Sequence, residues 1–237
     1  MRIDPFGDNA LIVTFDRVIS EAVNRQVIAL YNSLKSIDKF NFLIPAYHSL
    51  TVGLKPQLIT FEQAAKLIQQ AHDEISFTEK AKVSGKTYVI PVCYEPPYAL
   101  DLNDVAQQTG LSTAEIISTH TRHTYRVYML GFVAGFAYMG SLPETLNCQR
   151  KETPRTKAPQ GSVGLAGLQT GIYPTEAPGG WQIIGRTPLE MFNAESSPTS
   201  LLQAGDLVRF RPIGIAEFKI LRLEIETGVF EMEVTDV

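Results

Sequence analysis

Several classes of function are excluded by what this 237-residue sequence lacks. It has only two cysteines, Cys93 and Cys148, far apart and outside any Cys-x-x-Cys spacing. That excludes a disulfide framework and a zinc ribbon, and two buried reduced thiols are the expectation. Its histidines, aspartates and glutamates form no cluster with metal-ligand spacing, so no metal site is expected. No stretch approaches the ~20 apolar residues that span a bilayer, and Met1–Pro5 shows no apolar segment behind a basic region; a cytoplasmic protein is expected, with no membrane partner. Basic residues are in the minority, 21 Lys and Arg against 25 Asp and Glu for a net charge of -4, and no basic stripe offers a nucleic-acid footprint. The glycine-rich Gly161–Gly167 lacks the Gly-Lys-Ser/Thr ending of a P-loop, and Ser162 sits in no Gly-x-Ser-x-Gly elbow.

The chain is 44% hydrophobic, enough for a real core, and its length suits two domains of ordinary size. We expect residues 1–83 and 84–237. In the first, Ala10–Phe15 reads as a strand, and Val23, Val27, Leu30, Tyr31 and Leu34 mark a helix capped by Ser20. Phe42–Ile44 and Ser49–Leu54 read as strands, and a second helix begins at a Thr60/Gln63 capping box. With a last strand near Thr87–Val92, the order fits a ferredoxin-like α+β sandwich. Polar Thr78–Lys86 is the expected linker.

Beyond it, helices are expected from N-cap Asp101 to Gly110 and from Ser112, with Glu115 as capping partner, to about Thr121. Short apolar runs punctuated by glycine and proline then predict a β-rich barrel or sandwich, with Tyr125–Leu130, Gly180–Gly185 and Asp206–Phe210 as strands. A helix around Phe218, Leu221 and Ile225 should stop at Gly228, and Val229–Val234 alternates as a strand. Glycine and proline are densest from Tyr125 to Arg186, which encodes loops of specific shape.

Within that run, Gly131–Gly140, Pro154-Arg155, Pro159–Gly164, Gln169–Pro174 and Pro178–Pro188 resemble, in order and spacing, the blocks of one family, that of the 5-oxoprolinase B subunit, allophanate hydrolase subunit 1 or KipI. The resemblance implies an N-terminal ferredoxin-like domain followed by a mainly β cyclophilin-like barrel. It implies a non-autonomous subunit of an ATP-dependent 5-oxoprolinase, a hydrolase that opens pyroglutamate to L-glutamate. A cyclophilin-like C subunit with an A subunit would be its partners, and ATP with Mg the co-substrate; no tightly bound cofactor is expected. The family's other branch inhibits a sensor histidine kinase. Ala134 stands where the family's Gly-Phe-x-Pro-Gly-Phe block carries proline, which weakens that branch. Glu95–Tyr98 replaces a glycine-rich segment.

Lactam opening through a phosphorylated amide oxygen needs cations for phosphate and oxyanion, and a proton carrier. Arg155 and Arg186, beside shaped loops, suit charge binding, with loop bracing as the alternative. His120 suits proton transfer, or else the carbonyls of a helix end. Gln169, Thr170 and Tyr173 offer hydrogen bonds from a barrel wall, and Trp181 an apolar floor or a piece of core. Glu176 is a candidate base or a solvated loop acid.

Overall fold

The computed structural model describes residues 1–77 and 86–236. The chain divides into two compact units, Met1–Ser84 and Gly85–Val237. The expected linker lies, Lys86 apart, outside the described residues.

In the first unit, β1 (Arg2–Pro5), β2 (Ala10–Thr14), α1 (Glu21–Leu34), β3 (Phe40–Pro45), β4 (Ser49–Leu54) and α2 (Phe61–Phe77) follow one another. The sheet has the order β1-β2-β4-β3 and is antiparallel throughout. Both helix starts are set by their caps. Ser20 accepts the Val23 N–H at 3.3 Å, while Thr60 and Gln63 exchange hydrogen bonds at 3.0 and 3.3 Å. Val27, Leu30 and Leu34 from α1, Ala64 and Ile68 from α2, and Val13, Leu50 and Val52 from the sheet share one core. Each large aliphatic side chain so buried contributes roughly 1.5–3 kcal/mol. One strand is placed differently from expectation: the segment around Thr87–Val92 is not in this sheet, and the β1–β2 hairpin completes it instead. Arg-Ile-Asp-Pro carries little apolar signal because an edge strand tolerates polar residues and proline.

The second unit opens with β5 (Lys86–Cys93), α3 (Leu102–Thr109), α4 (Thr113–Arg122), β6 (Thr124–Leu130) and β7 (Ala137–Gly140). A 3-10 turn at Glu144–Leu146 precedes β8 (Arg155–Ala158), β9 (Ser162–Ala166), β10 (Gln169–Ile172), β11 (Ala177–Gly179) and β12 (Gln182–Arg186). Last come β13 (Leu207–Ile213), α5 (Ile215–Glu226) and β14 (Val234–Asp236). The order β12-β9-β10-β7-β6-β13-β5 closes through the β12–β5 pairing Arg186↔Cys93, giving a seven-stranded barrel that fits the cyclophilin-like expectation. β13 and β5 run parallel; β14 adds to β5 outside the ring, and β8 with β11 makes a separate ribbon. The strand expected at Val229–Val234 is reduced to β14, which begins at Val234.

Residues from both faces of β5 are buried. Ile90 and Val92 enter the barrel core with Val127, Met139, Val163 and Leu165, while Cys93 packs on Ile213 and Phe218 of α5. α3 and α4 add Leu102, Val105 and Ile116 to the barrel core. Closure depends on Gly185, where an added Cβ would meet Val92 Cγ1 at 2.7 Å and the Cys93 carbonyl at 2.9 Å. Gly185→Ala is therefore expected to lower stability by roughly 1–3 kcal/mol. An unchanged denaturation midpoint would show that the strands separate without cost.

Candidate functional site

The fold sorts the expected residues into separate environments. His120, near the end of α4, lies fully inside the second unit, its ring packed on those of Phe210 (4.4 Å) and Tyr125 (5.3 Å), which also meet each other at 5.7 Å. Its Nε2 is 3.0 Å from Thr170 Oγ1, and its Nδ1 is 2.8 Å from Tyr94 Oη. Thr170 also gives its hydroxyl proton to the Gly164 carbonyl at 3.2 Å, so it must accept from the ring. That assigns the proton to Nε2 and makes Nδ1 the acceptor for Tyr94. Burial, with a smaller contribution from the charge of His123, pushes the His120 pKa down to about 3. The ring is neutral at pH 7 and both nitrogens are engaged.

Arg155, on β8, forks onto a carboxylate the sequence had marked only as a helix cap. Its Nη1 and Nη2 donate to Asp101 at 2.8 and 2.7 Å. Asp101 also accepts Lys151 Nζ at 2.9 Å and the Ile183 N–H at 2.7 Å. The Asp101 side chain makes no cap bond to α3; its oxygens go to these partners. Burial would raise the Asp101 carboxyl, but the hydrogen bonds from Arg155, Ile183 and Lys151 outweigh it and hold the group below its ordinary range. Lys151 also reaches Asp104 at 3.1 Å.

Tyr173 and Trp181 are buried in an aromatic cluster centred on Phe136, whose ring meets theirs edge-on at 5.1 and 5.4 Å. Just before it, Phe132 is exposed and held at φ 67°, an uncommon backbone state for so large a residue. Gln169 is half-buried beside Thr170 on β10. Arg186 donates Nε to the Gln160 carbonyl at 2.6 Å and stands 5.9 Å from the Tyr98 ring. Its terminal nitrogens have no hydrogen-bond partner among the described residues. With Glu190 and Arg222, the latter paired with Glu226 at 2.9 Å, it lines a cavity of about 150 Å³. Glu176 is exposed and paired with Lys157 at 2.7 Å.

The structure thus joins His120 to Thr170 and Tyr173 to Trp181. Arg155 touches the Trp181 carbonyl at 3.4 Å, whereas Arg186 belongs to another cavity. Asp101, Arg222 and Gln182 were missed by sequence reasoning. Gln182 did leave a signal: it is a lone carboxamide opening the apolar run Gln182-Ile183-Ile184. It is buried, donates Nε2 to the Gln149 carbonyl at 2.9 Å, and leaves Oε1 with no partner among the described residues, which costs roughly 1–3 kcal/mol. Cys93 and Cys148 are free and buried, and burial raises the Cys148 thiol to about 11.

The family model of the carboxyltransferase domain, subdomain C and D, matches residues 1–202. The chain belongs to that family. Within it, this carboxyltransferase-family chain is 39% identical over 235 residues to the 5-oxoprolinase B subunit of Bacillus subtilis (strain 168), covering 94% of this chain and 97% of the relative. The 5-oxoprolinase B subunit of Haemophilus influenzae (strain ATCC 51907 / DSM 11121 / KW20 / Rd) is 37% identical over 215 residues, with 91% and 99% covered. Among solved structures, TTHA0988 superposes with a TM-score of 0.76 at 31% identity over 86% of this chain, which spans only 40% of that longer chain. These similarities support the family resemblance read from the motif blocks.

Proposed function

We propose that this chain is the B subunit of an ATP-dependent 5-oxoprolinase complex that opens 5-oxoproline to L-glutamate, with a site shared with partner subunits. The observation that carries this reading is the end-to-end similarity to the 5-oxoprolinase B subunit of Bacillus subtilis, 97% of which is matched. The geometry supports a non-autonomous role. The expected proton carrier, His120, is sealed and neutral, and Arg155 is committed to Asp101. In this reading both are positioning residues: His120 orients Thr170, and Arg155 ties β8 to the start of α3.

Arg186 is the group left free to meet charge, and beside Arg222 it would hold a phosphate or carboxylate while a partner supplies the remaining groups. Arg222 is paired with Glu226 at 2.9 Å, so in this reading it is the Arg186 guanidinium that would meet the charge that develops when an amide oxygen is phosphorylated and water attacks the carbon. Among the described residues no three His, Cys, Asp or Glu come together as a metal-ligand set, and no step is routed through a metal. Among those residues, too, no helix is long and apolar enough to cross a membrane.

The test is ATP-dependent glutamate formation from 5-oxoproline by this chain alone and with candidate A and C subunits. Turnover is expected only in mixtures that include it. Undiminished turnover without it would overturn the assignment, and a tight complex with a sensor histidine kinase in place of turnover would move the chain to the inhibitor branch.

A further inference from the structure

The helix α5 is apolar on two faces. Its inner face carries Phe218, packed with Cys93 and Ile213, and Ile225, packed against the barrel core. Its outer face carries Ala216, Ile220 and Leu223, all exposed, with Ile220 at 55% and Leu223 at 61%. A surface helix ordinarily turns polar residues outward. Here two large aliphatic side chains lie one turn apart on the solvent side, which makes them a seam and not scattered single exposures.

The residues around the seam indicate what covers it. Ala216, Ile220, Leu223 and Thr227 are spaced by four, three and four, the a/d repeat of a two-helix seam. Ile220 falls at a and Leu223 at d, the combination that favours two parallel helices. Thr227, at the next a, gives its hydroxyl proton to the Leu223 carbonyl at 2.8 Å and so brings no free donor to the seam. Lys219 precedes Ile220 and Glu224 follows Leu223, at the g and e positions that reach across to a facing helix. Neither makes an ion pair among the described residues, whereas the other charges nearby are occupied, Glu217 by Arg211 at 2.7 Å and Glu226 by Arg222 at 2.9 Å.

One unpaired cation on one flank and one unpaired anion on the other are complemented by the same helix from another molecule. Side by side and parallel, Lys219 of each copy meets Glu224 of the other, twice by symmetry. Antiparallel packing would instead set Glu217 and Glu224 of one copy against the same two residues of the other, a like-charge contact. We propose that the outer face of α5 pairs with α5 of a second copy of this chain, parallel and two-fold symmetric, with Ile220 and Leu223 in the seam and a Lys219–Glu224 pair on each flank. The helix has 12 residues and is roughly 18 Å long, so the seam is short and the dimer is reversible and concentration-dependent.

The experiment is sedimentation velocity on the full chain over a concentration series from micromolar to submillimolar, where a monomer–dimer equilibrium is expected. Leu223→Lys should weaken the dimer by roughly a hundredfold or more, because two leucines leave the seam and two cations enter it. Lys219→Glu and Glu224→Lys should each weaken it roughly tenfold, since each sets like charges against each other on both flanks. Mixing these two single variants in equal amounts should restore the dimer, because the mixed pair again has opposite charges on both flanks. Circular dichroism and an unchanged denaturation midpoint separate loss of pairing from loss of fold. A chain that stays monomeric throughout the series overturns the proposal, as does a dimer that none of the variants alters or that the mixture fails to restore. If the chain is monomeric and Leu223→Lys abolishes its association with candidate A or C subunits, the face belongs to a different partner and the pairing of two copies is overturned.

Discussion

Asp101→Ala is expected to lower the stability of the second unit by roughly 3–5 kcal/mol, because it strips a buried carboxylate from two cations and a backbone N–H. The side chain is 4% exposed and holds Arg155, at 19%, in a two-pronged contact. Without it, the guanidinium keeps its desolvation cost and loses its counter-charge, and the Ile183 N–H is left buried and unpaired. Three elements loosen together: the start of α3, β8 and the start of β12. In thermal denaturation the drop should be on the order of 10 °C for a unit of this size. Arg155→Ala should cost less, since Lys151 and Ile183 still hold the carboxylate, and the double variant should show coupling of about 1 kcal/mol or more, at the order of magnitude found for contacting pairs. An Asp101→Ala protein within about 1 kcal/mol of the parent would mean that solvent repairs the site.

The same carboxylate shows where sequence reading stopped. Asp101 precedes a helical pattern that Gly110 ends in the left-handed conformation, φ 73°, so local chemistry marks it as a cap. Its actual partners lie 50, 54 and 82 residues away, and no local pattern encodes pairings of that span. Helices were legible because caps and periodicity are local: Ser20, Thr60 with Gln63, and Ser112 with Glu115 all cap as expected. The strand around Thr87–Val92 was legible as a strand but not by sheet, since an apolar run buried on both faces fits either neighbour.

The candidate site was legible only as a neighbourhood. The dense glycine and proline run does contain Arg155, Thr170, Tyr173, Trp181 and Arg186. Which of these face a cavity and which face the core depends on closure, and closure is settled by contacts such as Gly185 against Val92. Trp181 ends up packed against Phe136 and Tyr138, and Ser162 starts a buried strand.

His120 supplies the second large expected effect, which appears in acid. Its folded pKa of about 3 lies below the ordinary value of 6.5, so the native chain binds fewer protons at this site than the unfolded chain once the pH falls below 6.5. Stability linked to this site is fully present above that value and drains away as pH falls toward 3, by roughly 4–5 kcal/mol in total. His120→Gln removes the titration and keeps a donor for Thr170, though it sacrifices the stacking on Phe210 and the Tyr94 bond. It should therefore be less stable than the parent at pH 7, by roughly 2–4 kcal/mol. Between pH 7 and pH 4, however, it should lose roughly 3 kcal/mol less than the parent in denaturant titrations. Equal losses in the two proteins would mean that the folded chain protonates His120 without resistance. The histidine would then be open to solvent and a proton carrier in its own right, and the positioning role assigned to it through Thr170 would have to be abandoned.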